Sequence, residues 1–545
     1  MNDLTARHVE IAQAAGSRYF LFLMSVAPPR LDDKTGRLEV CASGPGDSSF
    51  SAPSVVALVL VAALFVAARL WRLTSYGLFG DELFSLWAAR HDWSGLLAAV
   101  IGDIDHPPLF YLSLKAWITV GGESTLWLKL FPVLTSAAAT VPFFLLCREL
   151  KAKPTAINLS LALMAVNAYL VLYSQELRMY SLLLFFTAAS LWLFVKFFNS
   201  RPRAVKVQLA LFAANLLLVY THYYGWLVVV VEFLFLILWG RDRLPSFASA
   251  FVALLVCFGP WAYLVAQAAI ERGGLGFPSN APGIGDLVWF HESLNGPVSY
   301  RWEAYMKFST ALLIGGPILA LAFDGPIVLW GREALKRGEK NRGPQTAAFW
   351  LLVMFSFLPL AIVFCASHLM AQAAWATRYL IIAAPSYLVL VAVAATRLKP
   401  RLVKVAAVIL TFSWAALSGF IELSNRDKID WEPLVHQMIR AEPVKGGVTR
   451  VYTSDYNVIS TLQYYLDKNN ESRFEVKFSI DPAAPEESHY WIAVLKYRND
   501  THPLPQSGMA EGGFAVGDGL KVETPGPRAY LFPVWRRAAA DAPAQ

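Results

Sequence analysis

Charged residues are scarce in this chain. Only 16% of its 545 residues are Asp, Glu, Lys or Arg, while 56% are hydrophobic. Soluble domains carry about 25% charged residues, so this balance excludes one large soluble domain. The hydrophobic residues recur in runs of about 20 with few charges, which is typical of membrane-spanning helices. The sequence therefore predicts a polytopic membrane protein.

Cysteine is also scarce, and a signal peptide is not predicted. The four cysteines are scattered, which fits neither a metal-binding spacing nor a disulfide framework. The apolar stretch YFLFLMSVAPP near the N-terminus is too short to span a membrane and lacks a small-residue cleavage site. We expect residues 1–50 to form a disordered cytoplasmic tail without a function of its own.

About eleven transmembrane helices are predicted, and the charges of their loops orient them. Lys and Arg collect in cytoplasmic loops, and alternate loops here read CRELKAKP, NSRPRAVK, WGRDR, GREALKRGEKNRG and TRLKPRLVK. The alternation is unbroken if the N-terminus is cytoplasmic. The predicted spans lie near residues 53–72, 125–147, 155–173, 179–198, 205–221, 225–239, 248–268, 308–330, 346–367, 379–397 and 402–421.

This topology places residues 73–124, and everything after about residue 422, outside the cytoplasm. The apolar stretch 106–122 is expected to lie along the outer membrane surface, because a span there would invert every later loop. After residue 422 the chain becomes more polar, and DWEPLVHQMIR, VTRVYTSDYNVISTLQYYL and HYWIAVLKY predict a helix, a strand followed by a helix, and a strand. We expect a transmembrane domain over 51–422 and a small extracytoplasmic α/β domain over 423–545.

Ionisable and polar side chains collect at the predicted outer ends of the spans. Such groups are costly at membrane depth and persist mainly where they have partners or a function. Their convergence on one face suggests an active site, and the arginines would suit an anionic substrate such as a phosphate. The set comprises Asp81, Glu82, Asp103, Asp105, His106, Glu176, Arg178, His222, His291, Glu292, Arg378 and Tyr379.

Each of these residues also has a purely structural explanation. Asp81 and Glu82 could be the acidic residues that favour the first turn of a helix, and Asp105 could cap one. His222 could be a packed histidine, and Arg378 an interfacial cation. Adjacent helical residues lie about 100° apart, so Asp81 and Glu82 cannot both face one reacting atom.

Six stretches occur in this order along the chain: FGDELFSLW, DIDHPPLFYLSLKAW, LWLKLFPVLTSAAATVPFFLLCREL, YSQELRMYSLLLF, THYYG and ATRYLIIAAPSYLVL. Together they resemble the glycosyltransferases that use polyprenyl-phosphate-linked sugars. These are the protein O-mannosyltransferase and aminoarabinose-transferase branch, glycosyltransferase family 39-like, of the GT-C superfamily. The resemblance covers roughly residues 55–400 and implies an all-α polytopic fold of GT-C type.

The resemblance implies a role for the acidic residues of the first outer loop, 73–124. Asp81 corresponds to the catalytic base, and Glu82 stands beside it as a second catalytic carboxylate. Asp105 and His106 would line the same cavity, near the sugar, the acceptor or a metal. Some relatives use a divalent metal and others do not, so Glu82, Asp105 and His106 are candidate ligands and metal use stays open.

The resemblance also implies substrate-binding residues in later segments. Arg378 and Tyr379 would face the donor phosphate, whereas Glu176 and Arg178 match a family motif without an assigned role. His222 belongs to the same predicted rim. The expected partners are a polyprenyl-phosphate-linked sugar, a glycan, lipid or protein acceptor, and membrane lipids, with no nucleic acid. The small C-terminal domain has nothing like the β-trefoil repeats of eukaryotic protein mannosyltransferases, which puts a protein acceptor in doubt.

The sequence thus predicts a glycosyltransferase of a bacterial plasma membrane with its site on the extracytoplasmic face. A transporter or lipid flippase would show inverted repeats and charges near midspan, and the sequence shows neither. A glycan polymerase or ligase would show a long outer loop with paired arginines. A non-catalytic relative would have no use for Asp81.

Overall fold

A computed structural model of the protein shows a helical bundle followed by a small sheet. The helices are α1 (Ala52–Leu70), α2 (Asp81–Arg90), α3 (Trp93–Asp103), α4 (Leu109–Gly121), α5 (Thr125–Glu149), α6 (Pro154–Val166), α7 (Ala168–Tyr173), α8 (Tyr180–Asn199), α9 (Val205–Thr221), α10 (Gly225–Trp239), α11 (Leu244–Arg272), α12 (Ile284–Asn295), α13 (Gly325–Lys340), α14 (Pro344–Leu369), α15 (Ala384–Arg397), α16 (Arg401–Ser424), α17 (Trp431–Ala441) and α18 (Tyr456–Lys468). The structure describes residues 37–40, 51–200, 204–272, 281–296, 315–340, 343–369, 374–424, 429–442, 448–479, 489–496, 504, 514–523 and 528–536.

Among the described residues, six helices are long and apolar enough to cross a membrane. The protein is therefore an integral membrane protein. Four further predicted spans contain helices that are apolar but shorter, and the predicted span 308–330 lies partly outside the described residues, so the count of eleven stays a prediction. The six are α5, α8, α11, α14, α16, and α15 together with the 3₁₀ turn Thr377–Ala383 that precedes it.

Two predicted spans have a different internal structure from a single continuous helix. The predicted span 155–173 is divided at Asn167, whose side chain accepts from the Leu170 N–H (2.9 Å) and donates to the Leu294 carbonyl (2.7 Å). The predicted span 308–330 begins outside the described residues and continues through a π-helical turn, Ala320–Asp324, into α13.

Helix α4 has the length expected of a helix that does not cross the membrane. Its 13 residues extend about 20 Å, against about 30 Å for the hydrocarbon core of a bilayer. Helices α3 and α12 lie in stretches that were expected to be loops. The side chain of Asp92 caps α3 by accepting from the Gly95 N–H (2.7 Å).

A buried arginine ties the end of α1 to its neighbours. The Arg69 guanidinium donates to the carbonyls of Met164 (3.0 Å) and Ala165 (3.1 Å) at the end of α6. In turn, Gln175 donates to the carbonyls of Arg69 (2.7 Å) and Trp71 (3.0 Å). The chain that leaves α1 and the segment 174–179 before α8 are therefore held side by side.

Residues 37–40 pack against the ends of α5, α8 and α15 that join the basic loops. Val40 donates to the Leu150 carbonyl (2.9 Å), Leu38 donates to the side chain of Asn199 (2.6 Å), and Arg397 donates to the Val40 carbonyl (2.8 Å). These partners lie beside the basic loops that were predicted to be cytoplasmic. The remainder of the predicted tail 1–50 lies outside the described residues.

The C-terminal part is a mixed sheet covered by two helices. Its strands are β1 (Thr449–Thr453), β2 (Phe474–Phe478), β3 (His489–Lys496), β4 (Phe514–Val516), β5 (Leu520–Glu523) and β6 (Arg528–Arg536). The strand order is β2-β1-β3-β6-β4, and β5 also pairs with β6. β1 is parallel to β2 and β3, and β6 is antiparallel to β3. Helix α18 buries Val458, Leu462 and Leu466 in the core and leaves its other face toward the bundle.

The topology predicts a specific labelling pattern. We expect Ser424→Cys to react with a membrane-impermeant maleimide in intact cells, because it ends α16 on the predicted outer side. Lys336→Cys, in the basic part of α13 that was predicted to be a cytoplasmic loop, should react only after the membrane is opened. The exposed Cys257 and Cys365 should first be replaced by Ser, and that variant is the control. Labelling of Lys336→Cys but not of Ser424→Cys in intact cells would reverse the topology.

Candidate active site

The loop that enters α2 is pressed against α18. Gly80 has a φ of +50°, and a Cβ there would lie 2.9 Å from Asn457 Oδ1. A Cβ on Gly77 would lie 1.7 Å from Tyr465 Oη. Tyr465 donates to the Leu78 carbonyl at 3.2 Å. The backbone freedom and small size of glycine therefore allow the C-terminal helix to reach this loop.

Asp81 and Glu82 begin α2 and point in different directions, as the 100° step between helical neighbours requires. The Asp81 side chain is about half exposed, with Oδ2 3.9 Å from nitrogens of both Arg178 and Arg378. Glu82 is buried, and its Oε1 accepts from the Leu177 N–H at 2.8 Å. Asp81 thus faces open space, while Glu82 holds the 174–179 segment in place.

Arg178 is buried and connects three segments of the chain. Its Nη1 donates to the Asp81 carbonyl and to Ser85 Oγ, both at 3.1 Å. Its Nη2 lies 3.4 Å from His106 Nε2. Because a buried cation is costly without partners, these contacts fix α2 and residues 104–108 relative to the segment before α8.

Arg378 and Tyr379 start the 3₁₀ turn and reach the same point from the other side. Arg378 Nη2 donates to Tyr379 Oη at 3.3 Å, and the Arg378 side chain is 44% exposed. Tyr379 Oη lies 3.3 Å from His106 Nε2. The Asp81 carboxylate therefore lies between Arg178, which is buried and held by several contacts, and Arg378, whose side chain is partly exposed.

His106 is neutral at physiological pH. Arg178 has no acceptor, so it donates to His106 Nε2, and the ring proton lies on Nδ1, 3.6 Å from Asp103 Oδ2. Burial, reinforced by the Arg178 charge, holds the pKa of His106 well below its ordinary range. Burial likewise lowers the pKa of His222, which lies near His106 and packs its ring 4.3 Å from the Tyr379 ring.

Two cavities meet at Asp81. The first chamber, of about 510 Å³, is lined by α2, by the 103–106 segment and by α18. The second chamber, of about 450 Å³, is lined by the loop before α2, the 174–180 segment, and apolar residues of the C-terminal part, including Trp431 and Leu495. The residues common to both chambers are Gly80, Asp81, Arg178, Arg378 and Asn457.

The structure gathers most of the residues that the sequence singled out. Asp105, His106 and Tyr379 line the first chamber, whereas Glu82 and Glu176 line the second. The residues that line both include Asp81, Arg178 and Arg378.

Three of the residues lie behind this site or apart from it. His222 is buried behind Tyr379. His291 lies 3.0 Å from Asp324 in another polar cluster, beside Asn295 and Tyr387. Glu292 is buried on the same helix.

Several residues of the site were not predicted. Ser85 binds Arg178, and Tyr180 lines the second chamber. Asn457, Ser460, Gln463, Tyr464 and Asp467 of α18 line the first chamber. The amphipathic pattern of α18 marked its core face, but no local signal shows which surface its polar face meets.

The candidate metal ligands Glu82 and His106 have other partners in the structure. Within the described ranges, no three His, Cys, Asp or Glu side chains are grouped so that they could hold an ion. Glu82 is bound to the Leu177 N–H, and His106 Nε2 faces the guanidinium of Arg178. A guanidinium already lies beside His106, and metal use stays a prediction.

No protein-family model and no curated protein matches this sequence. Solved structures do match. ArnT from Cupriavidus metallidurans in the apo state has a TM-score of 0.55 at 13% identity, over 91% of this chain and 100% of that chain. ArnT bound to undecaprenyl phosphate has a TM-score of 0.53 at the same identity and coverage. The archaeal oligosaccharyltransferase AglB from Archaeoglobus fulgidus has a TM-score of 0.47 at 14% identity, over 76% of this chain and 63% of that chain.

The match to ArnT extends over 91% of this chain and 100% of that chain. At this level of identity it establishes the fold alone, and it confirms the fold that the sequence motifs predicted. The chain has the fold of the GT-C superfamily of glycosyltransferases.

Proposed function

We propose that this protein is an integral-membrane glycosyltransferase that moves a sugar from a polyprenyl-phosphate donor to a hydroxyl acceptor. The observation that carries the proposal is the position of Asp81. Its half-exposed carboxylate stands where two chambers meet, with two guanidinium groups 3.9 Å away. A base, a place for a phosphate and room for two substrates are what such a transfer requires.

Asp81 takes the proton of the acceptor hydroxyl in this reaction. As that oxygen bonds to the anomeric carbon, the bond from the anomeric carbon to the phosphate oxygen breaks, and the polyprenyl phosphate leaves with the electron pair. Because the leaving group is already good, the main contributions are the base and the alignment of the reactants. A single displacement of this kind inverts the anomeric centre.

The two arginines divide the remaining work. Arg378 is partly exposed and can turn its planar fork toward a phosphate, which it would bind bidentately. Arg178 is buried and committed to Asp81, Ser85 and His106, so it positions the base. Neutral His106 and Tyr379 complete the wall of the first chamber without adding charge.

The lipid carrier and the face of the membrane are part of the same proposal. The similar ArnT structure with undecaprenyl phosphate bound supports a polyprenyl phosphate as carrier. α5, α8 and α15 each have their site end opposite the end that joins a basic loop. By the positive-inside rule, this supports a site on the extracytoplasmic face of a bacterial plasma membrane.

Asp81→Asn tests the base. The amide keeps the size of the side chain but cannot take a proton, so transfer should fall by about 10²–10⁴-fold while donor binding changes little. Membranes with equal amounts of each variant should be given labelled polyprenyl-phosphate sugars and assayed for donor consumption. Glu82→Gln is the matched control and should cost less, because its amide oxygen can still accept from the Leu177 N–H. Normal turnover in Asp81→Asn would remove the base from the mechanism.

Arg378→Lys tests the phosphate contact. Lysine keeps the charge but lacks the bidentate fork, so activity should fall at unchanged abundance and thermal stability. Arg178→Lys should instead lower stability, because the buried guanidinium makes several contacts at once. Thermal unfolding of both purified variants, next to turnover, separates the two effects. Full activity in Arg378→Lys would leave Arg378 as an interfacial anchor.

The lowered pKa values of His106 and His222 predict a loss of stability in acid. A histidine in the unfolded chain has a pKa of about 6.5. Above that pH both imidazole rings are neutral in the folded and in the unfolded protein, so they do not lower the free energy of unfolding. Below that pH the unfolded chain binds protons that the folded protein does not bind. Each histidine then lowers the free energy of unfolding by about 1.4 kcal/mol per pH unit. Unfolding temperatures should therefore fall between pH 7.5 and 5.5, and the fall should be smaller in His106→Gln. An equal slope in both proteins would contradict this burial effect.

A further inference from the structure

The polar face of α18 forms one wall of the first chamber. Asn457, Ser460, Gln463 and Asp467 are exposed and follow one another at intervals of three, three and four residues. At 3.6 residues per turn they lie along one side of the helix. We call these four residues the α18 stripe. Its amide, hydroxyl and carboxylate groups can both donate and accept hydrogen bonds.

The charges of the first chamber favour a ligand without negative charge. Arg178 and Arg378 stand at Asp81, where the chambers meet. The remaining arginine of the lining, Arg90, forms an ion pair with Glu123 at 2.6 Å. Away from the junction, the ionisable side chains that line the chamber include the carboxylates Asp103, Asp105 and Asp467.

Aromatic rings complete the chamber. Trp87 is 50% exposed, and Tyr464 lies beside the α18 stripe. Such rings offer an apolar face together with a polar edge, which suits the alternating C–H and hydroxyl faces of a sugar. The second chamber is more apolar, with Phe79, Ile429, Trp431 and Leu495 among its lining, and it suits a lipid-linked donor better.

We propose that the first chamber is the acceptor site and that its ligand is a neutral or amine-bearing glycan, held by the α18 stripe. A phosphate-bearing acceptor would meet carboxylates there. The hydroxyl of a glycan in this chamber would reach Asp81 from the side opposite the donor. This inference rests on the proposed function for its meaning as an acceptor site, but the binding itself can be measured without any donor.

The test is oligosaccharide binding to the full chain in lipid nanodiscs, measured by saturation-transfer NMR. The probes are maltotriose, which is neutral, a chitosan trimer, which carries amines, and glucose 6-phosphate. We expect signals from the first two that exceed the signal of the phosphate. Gln463→Ala/Asp467→Ala should bind both about tenfold more weakly, the loss of one or two hydrogen bonds. Asp518→Ala, an exposed acid of the C-terminal sheet outside this lining, is the control and should bind as the native chain does.

Stronger binding of glucose 6-phosphate, or equal binding by the double variant and the native chain, would overturn the inference. Added undecaprenyl phosphate should leave the oligosaccharide signal in place, and displacement would instead make the first chamber a donor site. The two proposals can fail separately. If the protein binds glycans through the α18 stripe but consumes no polyprenyl-phosphate sugar, the proposed transferase is wrong and the glycan site stands. If it consumes the donor but binds glycans independently of the α18 stripe, the glycan site is wrong and the transferase stands.

Discussion

The guanidinium of Arg178 is the contact on which the site depends. It lies in a short segment between two helices of the bundle, yet it binds the first turn of α2 through the Asp81 carbonyl and Ser85, and the 103–106 segment through His106. The segment that carries it is fixed in turn by Glu82, through the Leu177 N–H, and by Gln175, through the end of α1. A buried cation with these partners makes three distant parts of the chain one structural unit.

This arrangement explains why the neighbouring acids have such different surroundings. Glu82 is used up in holding the segment of Arg178, so its side chain is buried and bonded. Asp81 stays half exposed. Its orientation is set by the hydrogen bond from Arg178 to its backbone carbonyl and by the two arginines near its carboxylate. The division of labour follows from the helix step, which sends adjacent side chains about 100° apart. In our proposal, the carboxylate that acts is therefore Asp81.

The C-terminal helix adds a second constraint from far along the chain. Gly77 and Gly80 allow α18 to lie against the loop before Asp81, and Tyr465 and Thr461 bind that loop directly. The same helix presents its polar face to the first chamber. A movement of the C-terminal part would therefore change the position of the loop before α2 and the shape of the first chamber together.

Periodicity, loop charge and short motifs predicted much of this from the sequence. The apolar runs marked the long helices, helical spacing predicted α17, and the residue patterns that follow predicted β1, α18 and β3. The motifs that resemble GT-C enzymes also singled out Asp81, Arg178 and Arg378, which the structure brings to one point. The contribution of α18 to the site could not be predicted from the sequence, because residues some 380 positions from Asp81 meet it only through tertiary packing. Likewise, the positions of His222 behind Tyr379 and of His291 beside Asp324 depend on packing that no local pattern encodes.

The central claim is that a lipid phosphate binds where the two chambers meet. Its most direct test is a cryo-electron microscopy structure of the full chain in nanodiscs that contain undecaprenyl phosphate. The account predicts phosphate density within hydrogen-bond distance of the Arg378 guanidinium, with the lipid chain leading into the bilayer and the Asp81 carboxylate left open to the first chamber. Phosphate bound at the opposite end of the helices, beside the basic loops, would contradict it.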